Sequence, residues 1–178
     1  MTASPAFIVA RAMRGGVHTF AVYLEPDRIG FIRLGTGPGI DYAVAAQGGL
    51  IGWLLGRWIS AARKKRQRLR AEENRSKTLD EMLAQHRVNH AIPVADISDV
   101  SLEPGGWTLK KGSVNWRFQW PGEKKRTLCT LRDVSDTTAA INLLPRIFPD
   151  MRIEVQRDDR TGMYIKPTAA STPRGAVQ

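Results

Sequence analysis

Between residues 7 and 34 apolar and polar side chains alternate, β-branched and aromatic types recur, and Gly15-Gly16 and Pro26-Asp27 interrupt the run. A period of two is that of a strand with one buried face, and turn residues between two such runs signal a hairpin. The pattern predicts three strands, over residues 7–14, 17–24 and 28–34, joined as a meander. In the second, Phe20, Val22 and Leu24 share one face while Ala21 and Tyr23 share the other. The block stops at GTGPG, residues 35–39, which holds too much glycine and proline for either regular state.

From about Ala43 the spacing turns helical, with Asp41 placed as an N-cap. Glycines apart, nothing breaks the pattern before Asn74, a length of about 45 Å at the rise of a helix. A second helix restarts behind Ser76, where Thr78 and Glu81 have capping-box spacing and Leu79, Met82 and Leu83 form an apolar stripe. It is expected to end near Asn89, ahead of Pro93. Strand character returns at Ile92, in Val94 with residues 97–103, then 107–110, 114–120 and 127–131, separated by Pro104-Gly105-Gly106, Lys111-Gly112 and Pro121-Gly122. Val114, Trp116, Phe118 and Trp120 alternate with polar residues, as a core-facing antiparallel strand requires.

A helix follows over residues 133–148, with Val134, Ile141, Leu144 and Phe148 on one face and Asp133 or Ser135 as its cap. Residues 151–156 predict a last strand with Ile153 and Val155 inward. Apolar periodicity ends there, so residues 157–178 are expected to be a disordered tail. The expected organisation is a single domain over 7–156 that carries a helical insertion at 43–90.

Charge changes this picture at one place. The 178 residues carry a net charge of +10, which favours anionic partners, and eight basic residues between Arg57 and Arg75 face only Glu72 and Glu73. The excess is therefore concentrated in the insertion. The lone cysteine, Cys129, cannot form an internal disulfide, which suits a cytoplasmic setting. The N-terminal residues hold only a short apolar run, Phe7 to Ala10, with no basic region ahead of it, so a signal peptide is not expected.

Candidate chemistry is sparse. His86 and His90 have the four-residue spacing of a metal clamp on a helix, but no Glu follows His86 and His90 falls where the helix frays, so a solvated helix end is the favoured reading. His18 has no evident partner. Cys129 sits within a strand without a neighbouring histidine, as a buried structural thiol would. Asp158-Asp159 border the tail, and neither GTGPG nor QGGLIG continues into the Lys-Ser/Thr of a phosphate loop. Nothing in the sequence calls for a catalytic site, a metal or a cofactor.

Three stretches carry a family resemblance: TFAVYLEPDRIGFIRLG (19–35), IPVADISDVSLEPGGWTLKKG (92–112) leading into the Trp116 strand, and DVSDTTAAINLLPRIF (133–148). Their strand-turn-strand, I-x-x-x-D-I-x-x-V and closing-helix features resemble those of bacterial pleckstrin-homology-like (PH-like) proteins. The likeness covers residues 7–35 and 92–155. It implies an α+β fold: a small antiparallel PH-like β-barrel or sandwich with a C-terminal capping helix and an inserted two-helix hairpin. It also implies a non-catalytic binding module at a membrane or protein surface. Phosphoinositide-binding members cluster basic residues at the first hairpin; Arg11, Arg14 and His18 stand there, and the larger cluster lies in the insertion.

The insertion supplies the candidate contact residues. Gly48, Gly52 and Gly56 recur every four residues, a spacing that lets helices approach closely. Ile51, Trp53, Leu54, Leu55, Trp58 and Ile59 surround them, and the apolar run is short for a spanning helix. The basic set is Arg63, Lys64, Lys65, Arg66, Arg68 and Arg70. Strands on both sides belonging to one sheet would keep both ends of the insertion on one side of a bilayer. The composition therefore predicts peripheral association with an anionic membrane surface. The alternatives are a protein partner, a glycine-mediated homo-oligomer and, less favoured, non-specific binding of nucleic acid.

Overall fold

The computed structural model describes residues 5–13, 16–36, 65–66, 69–70, 72–105 and 113–167. The alternating block forms β1 (Phe7–Met13), β2 (Gly16–Leu24) and β3 (Arg28–Thr36), antiparallel in sequence order. The register Phe7↔Val22, Val9↔Phe20 and Arg11↔His18 puts these six side chains on one face. Gly16, at the start of β2, has φ of +125°, a conformation that a side chain would strain.

After the insertion come a six-residue helix α1 (Leu79–Ala84), β4 (His90–Pro93) and β5 (Ser98–Pro104). The chain then continues through β6 (Val114–Gln119), β7 (Thr127–Leu131), α2 (Val134–Ile147) and β8 (Arg152–Ile153). The eight strands make one sheet in the order β4-β3-β2-β1-β7-β6-β5-β8. Antiparallel pairing of β1 with β7 (Ala10↔Thr130, Arg11↔Cys129) joins the two strand groups, and β8 runs parallel to β5.

The sheet is curled into a half-barrel. Four strand intervals separate β3 from β6, about 19 Å in a flat sheet. The ring of Phe31 on β3 nevertheless lies 5.9 Å from that of Trp116 and 6.1 Å from that of Phe118, both on β6. Closing that gap brings Phe7, Val9, Phe20, Val22, Leu102 and Leu131 into the same core. Burial of these large apolar side chains on the concave face drives the curl. Helix α2 closes the core with Thr137, Ala140 and Leu144 and is tied to the sheet where Ile8 N donates to Asp136 Oδ1 at 2.9 Å.

This architecture corrects the PH-like expectation. It is mostly β, its main sheet an open, mixed one of eight strands with edges at β4 and β8, where a small antiparallel barrel or sandwich was expected. Between β3 and β4 the described residues hold helical residues at 65–66, 69–70 and 72–73, a 3-10 turn (Asn74–Ser76) and one short helix, α1, where a hairpin of two long helices was expected. Residues 43–64 of the expected first arm fall outside the described residues. Helix α1 stops five residues before Asn89 because the chain must turn over the sheet edge. Asn89 holds that turn, donating from Nδ2 to the Met82 carbonyl (2.6 Å) and accepting from Arg33 N (2.9 Å).

The capping box of α1 is formed, Glu81 N donating to Thr78 Oγ1 and Thr78 N to Glu81 Oε2. The helix lays Leu79 and Met82 on Ala21, Tyr23, Ile32 and Leu34, the convex face of β2 and β3. This second core explains why both faces of β2 are apolar. Gly30 is the crossing point, since a Cβ there would lie 2.5 Å from Leu79 Cδ1. Gly30→Ala should therefore overpack this contact and cost about 1–3 kcal/mol in a urea titration. A Leu79→Ala change made in the same chain should recover part of that loss.

Two further expectations need correction. Ile153, expected inward, is 41% exposed, because β8 is only two residues long and the chain leaves the edge with Glu154 N bonded to the Leu102 carbonyl; Val155 does enter the core. Residues expected in the tail form a small hairpin, β9 (Gln156–Arg157) with β10 (Tyr164–Ile165). It is docked by the buried Tyr164, whose hydroxyl is 2.9 Å from Thr138 Oγ1. The strand expected at 107–110 lies outside the described residues.

Candidate functional site

One row of cross-strand partners runs along the concave face through His18 on β2, Arg11 on β1, Cys129 on β7, Trp116 on β6 and Leu102 on β5. From Cys129 onward it is apolar. At the β1–β2 end it is polar, and the three histidines of the chain stand around two arginines there.

Arg11 follows Phe7 and Val9 on the inward face of β1 and is only 6% exposed. Its charge is met by Glu123, in the turn between β6 and β7, at 2.5 Å from Nη2, while Nη1 lies 3.2 Å from His90 Nε2. A guanidinium only donates, so His90 Nε2 is the acceptor and Nδ1–H donates to the Val88 carbonyl at 3.0 Å. Those two bonds define the neutral tautomer of His90. Its ring is stacked between Phe31 (centroids 5.0 Å apart, planes at 7°) and Trp120 (6.2 Å, 17°). Burial, then the nearby Arg11, hold the His90 pKa below its ordinary value, with the Val88 bond and Glu123 opposing.

His18 is 9% exposed, and its Nδ1 is buried without a hydrogen-bond partner among the described residues. Its pKa is lowered by burial first and then by Arg33 and His86. Arg33 faces Phe20 across β2 and β3, beside a register shift at Thr19/Phe20. Its Nη1 lies 3.0 Å from Nε2 of the exposed His86, and its Nε is buried without a hydrogen-bond partner among the described residues. Cys129, opposite Arg11, is fully buried, which pushes its thiol up to about 12 and leaves no thiolate for nucleophilic chemistry.

His86 and His90 do not share a helix face. Helix α1 ends at Ala84 and His90 opens β4, so the rings point to different partners. Among the described residues no cluster of His, Cys, Asp and Glu could hold a metal. No family model, curated protein or solved structure matches the chain.

Of the residues singled out for contact, Gly48, Ile51, Gly52, Trp53, Leu54, Leu55, Gly56, Trp58, Ile59, Arg63, Lys64 and Arg68 lie outside the described residues. Lys65, Arg66 and Arg70 are helical and exposed, as is the apolar Leu69 beside them. Arg70 reaches back to the sheet, donating from Nη1 to the Leu34 carbonyl near the end of β3 at 3.1 Å. Among the described residues no helix is long and apolar enough to cross a membrane.

The Arg11–Glu123 pair and the environment of Arg33 escaped the sequence reading. One signal was present: Arg11 continues the inward series Phe7, Val9, and a charge on the apolar face of a strand needs a partner. Glu123 could not be named as that partner, because the two are 112 residues apart.

Proposed function

We propose that the protein is a non-catalytic binding module that associates with anionic membrane surfaces through residues 42–70, with the curled sheet as their base. The observation that carries this reading is the bond from Arg70 to the Leu34 carbonyl. The chain leaves the sheet at the end of β3 and is back against β3 by Arg70. Both ends of the excursion are thus held at one place on the sheet, which a single crossing of a bilayer would pull apart. A segment that leaves and returns on one side can lay its apolar residues at the headgroup level and its basic residues against acidic lipid. Each basic residue near such a surface contributes about 1 kcal/mol.

Sedimentation with vesicles tests this reading. The protein should pellet with phosphatidylserine-containing vesicles and lose affinity by about a hundredfold or more when Arg63, Lys64, Lys65 and Arg66 are changed together to Gln. Replacing Trp53 and Trp58 by Ser should weaken binding to neutral and anionic vesicles alike. A protein that ignores both kinds of vesicle would sink the membrane reading. If deleting residues 43–64 then reduces the number of copies in its assembly, the four-residue glycine spacing is the basis of self-assembly instead.

A further inference from the structure

We propose that His18, Arg33 and His86 form a binding site for a carboxylate, separate from the membrane-contact segment. Three unsatisfied features meet at this end of the concave face. Among the described residues His18 Nδ1 is buried without a hydrogen-bond partner, and so is Arg33 Nε. The third is at His86, where Val88 N donates to Nδ1 at 3.1 Å while Arg33 Nη1 lies against Nε2 at 3.0 Å. A neutral imidazole has one acceptor nitrogen, so the ring cannot satisfy both N–H groups. Arg33 Nε and the second N–H group at His86 are surplus donors, and His18 Nδ1 is a third in its Nδ1–H tautomer. What is missing is an acceptor.

Charge and shape narrow its chemistry. Arg11, the cross-strand neighbour of His18, is already neutralised by Glu123, whereas no carboxylate among the described residues pairs with Arg33. Arg33 thus carries one positive charge with no carboxylate partner among the described residues, which suits a monoanion. The Nε edge of a guanidinium presents parallel N–H groups matched to the two oxygens of a planar carboxylate. Exposure grades from the open His86 through the half-buried Arg33 to the buried His18, so a carboxylate entering past His86 would meet Arg33 first and His18 last.

The test uses the full chain with 15N-labelled histidine, followed by NMR at pH 7.5 and constant ionic strength in chloride. Acetate should shift the His18 and His86 imidazole resonances saturably, and inorganic phosphate, mostly a dianion at that pH, should do so only at higher concentration. Acetate represents a free small acid, and an N-acetylated, amidated glutamate represents a peptide side chain; the tighter of the two identifies the source. Arg33→Lys keeps the charge but removes the Nε edge and should weaken the carboxylate by about tenfold. Vesicle binding by that variant should be unchanged, which separates this site from the proposed membrane function. The proposal is overturned if neither carboxylate gives a saturable shift, if phosphate binds more tightly than both, or if Arg33→Lys binds as the parent does. The comparison of acetate with phosphate stands on the unsubstituted protein alone.

Discussion

Trp116→Ala should lower the free energy of unfolding by about 3–5 kcal/mol, read as a fall in urea midpoint at unchanged slope. Trp116 is fully buried where the two halves of the curled sheet meet. Its ring lies against Phe118 (4.7 Å), edge-on to Phe7 (5.7 Å) and stacked with Phe31 (5.9 Å), so truncation opens a cavity bordered by β1, β3 and β6 at once. Its Nε1–H is buried without an acceptor among the described residues. Phe at this position would remove that orphan donor and keep much of the aromatic surface, so Trp116→Phe should cost far less than Trp116→Ala. Equal losses for the two variants would mean that the volume at the seam is not what holds the sheet curled.

The second large effect is on pH. His18 and His90 have pKa values below their ordinary value, so on acidification the unfolded chain takes up their protons first. Above the ordinary histidine pKa both states are neutral at these positions and the full stability is present. As pH falls below about 6.5 stability is lost, until the folded-state values are passed. Each unit of depression corresponds to about 1.4 kcal/mol. Asp136, half-buried and raised chiefly by burial, works in the opposite direction at lower pH, because there the folded state holds the extra proton. Urea titrations between pH 7.5 and 5 should show a decline that His18→Gln and His90→Gln each reduce. A decline unaltered in the double variant would assign it to other groups.

The sequence patterns differed in what they could disclose. β7 was expected at 127–131 and runs from Thr127 to Leu131, and the core series Val114, Trp116 and Phe118 was visible as strict alternation. Such features are local, because a period of two and a pair of turn residues are read within ten residues. The joining of β1 to β7 and the parallel docking of β8 on β5 depend on residues far apart in the chain, and no local pattern encodes them. They are also what separates an open mixed sheet from a closed antiparallel barrel. Composition predicted α1 longer than it is, since propensity alone does not register that the chain must cross the sheet edge at Asn89. At the polar end, the inward position of Arg11 was readable, but its closing partner came from the turn at Glu123.

The pairing Ala10↔Thr130 also sets an order of events during synthesis. At about 5–20 residues per second, on the order of ten seconds pass between the emergence of β1 and that of β7. Until then one edge of β1 has no neighbouring strand, and Phe7 and Phe31 lack the β6 aromatics that pack on them. Arg11, placed inward on that waiting edge, keeps a charge among them until the turn carrying Glu123 is made. A buried cation that loses its exposure only when the second half of the sheet arrives would keep the nascent first half soluble.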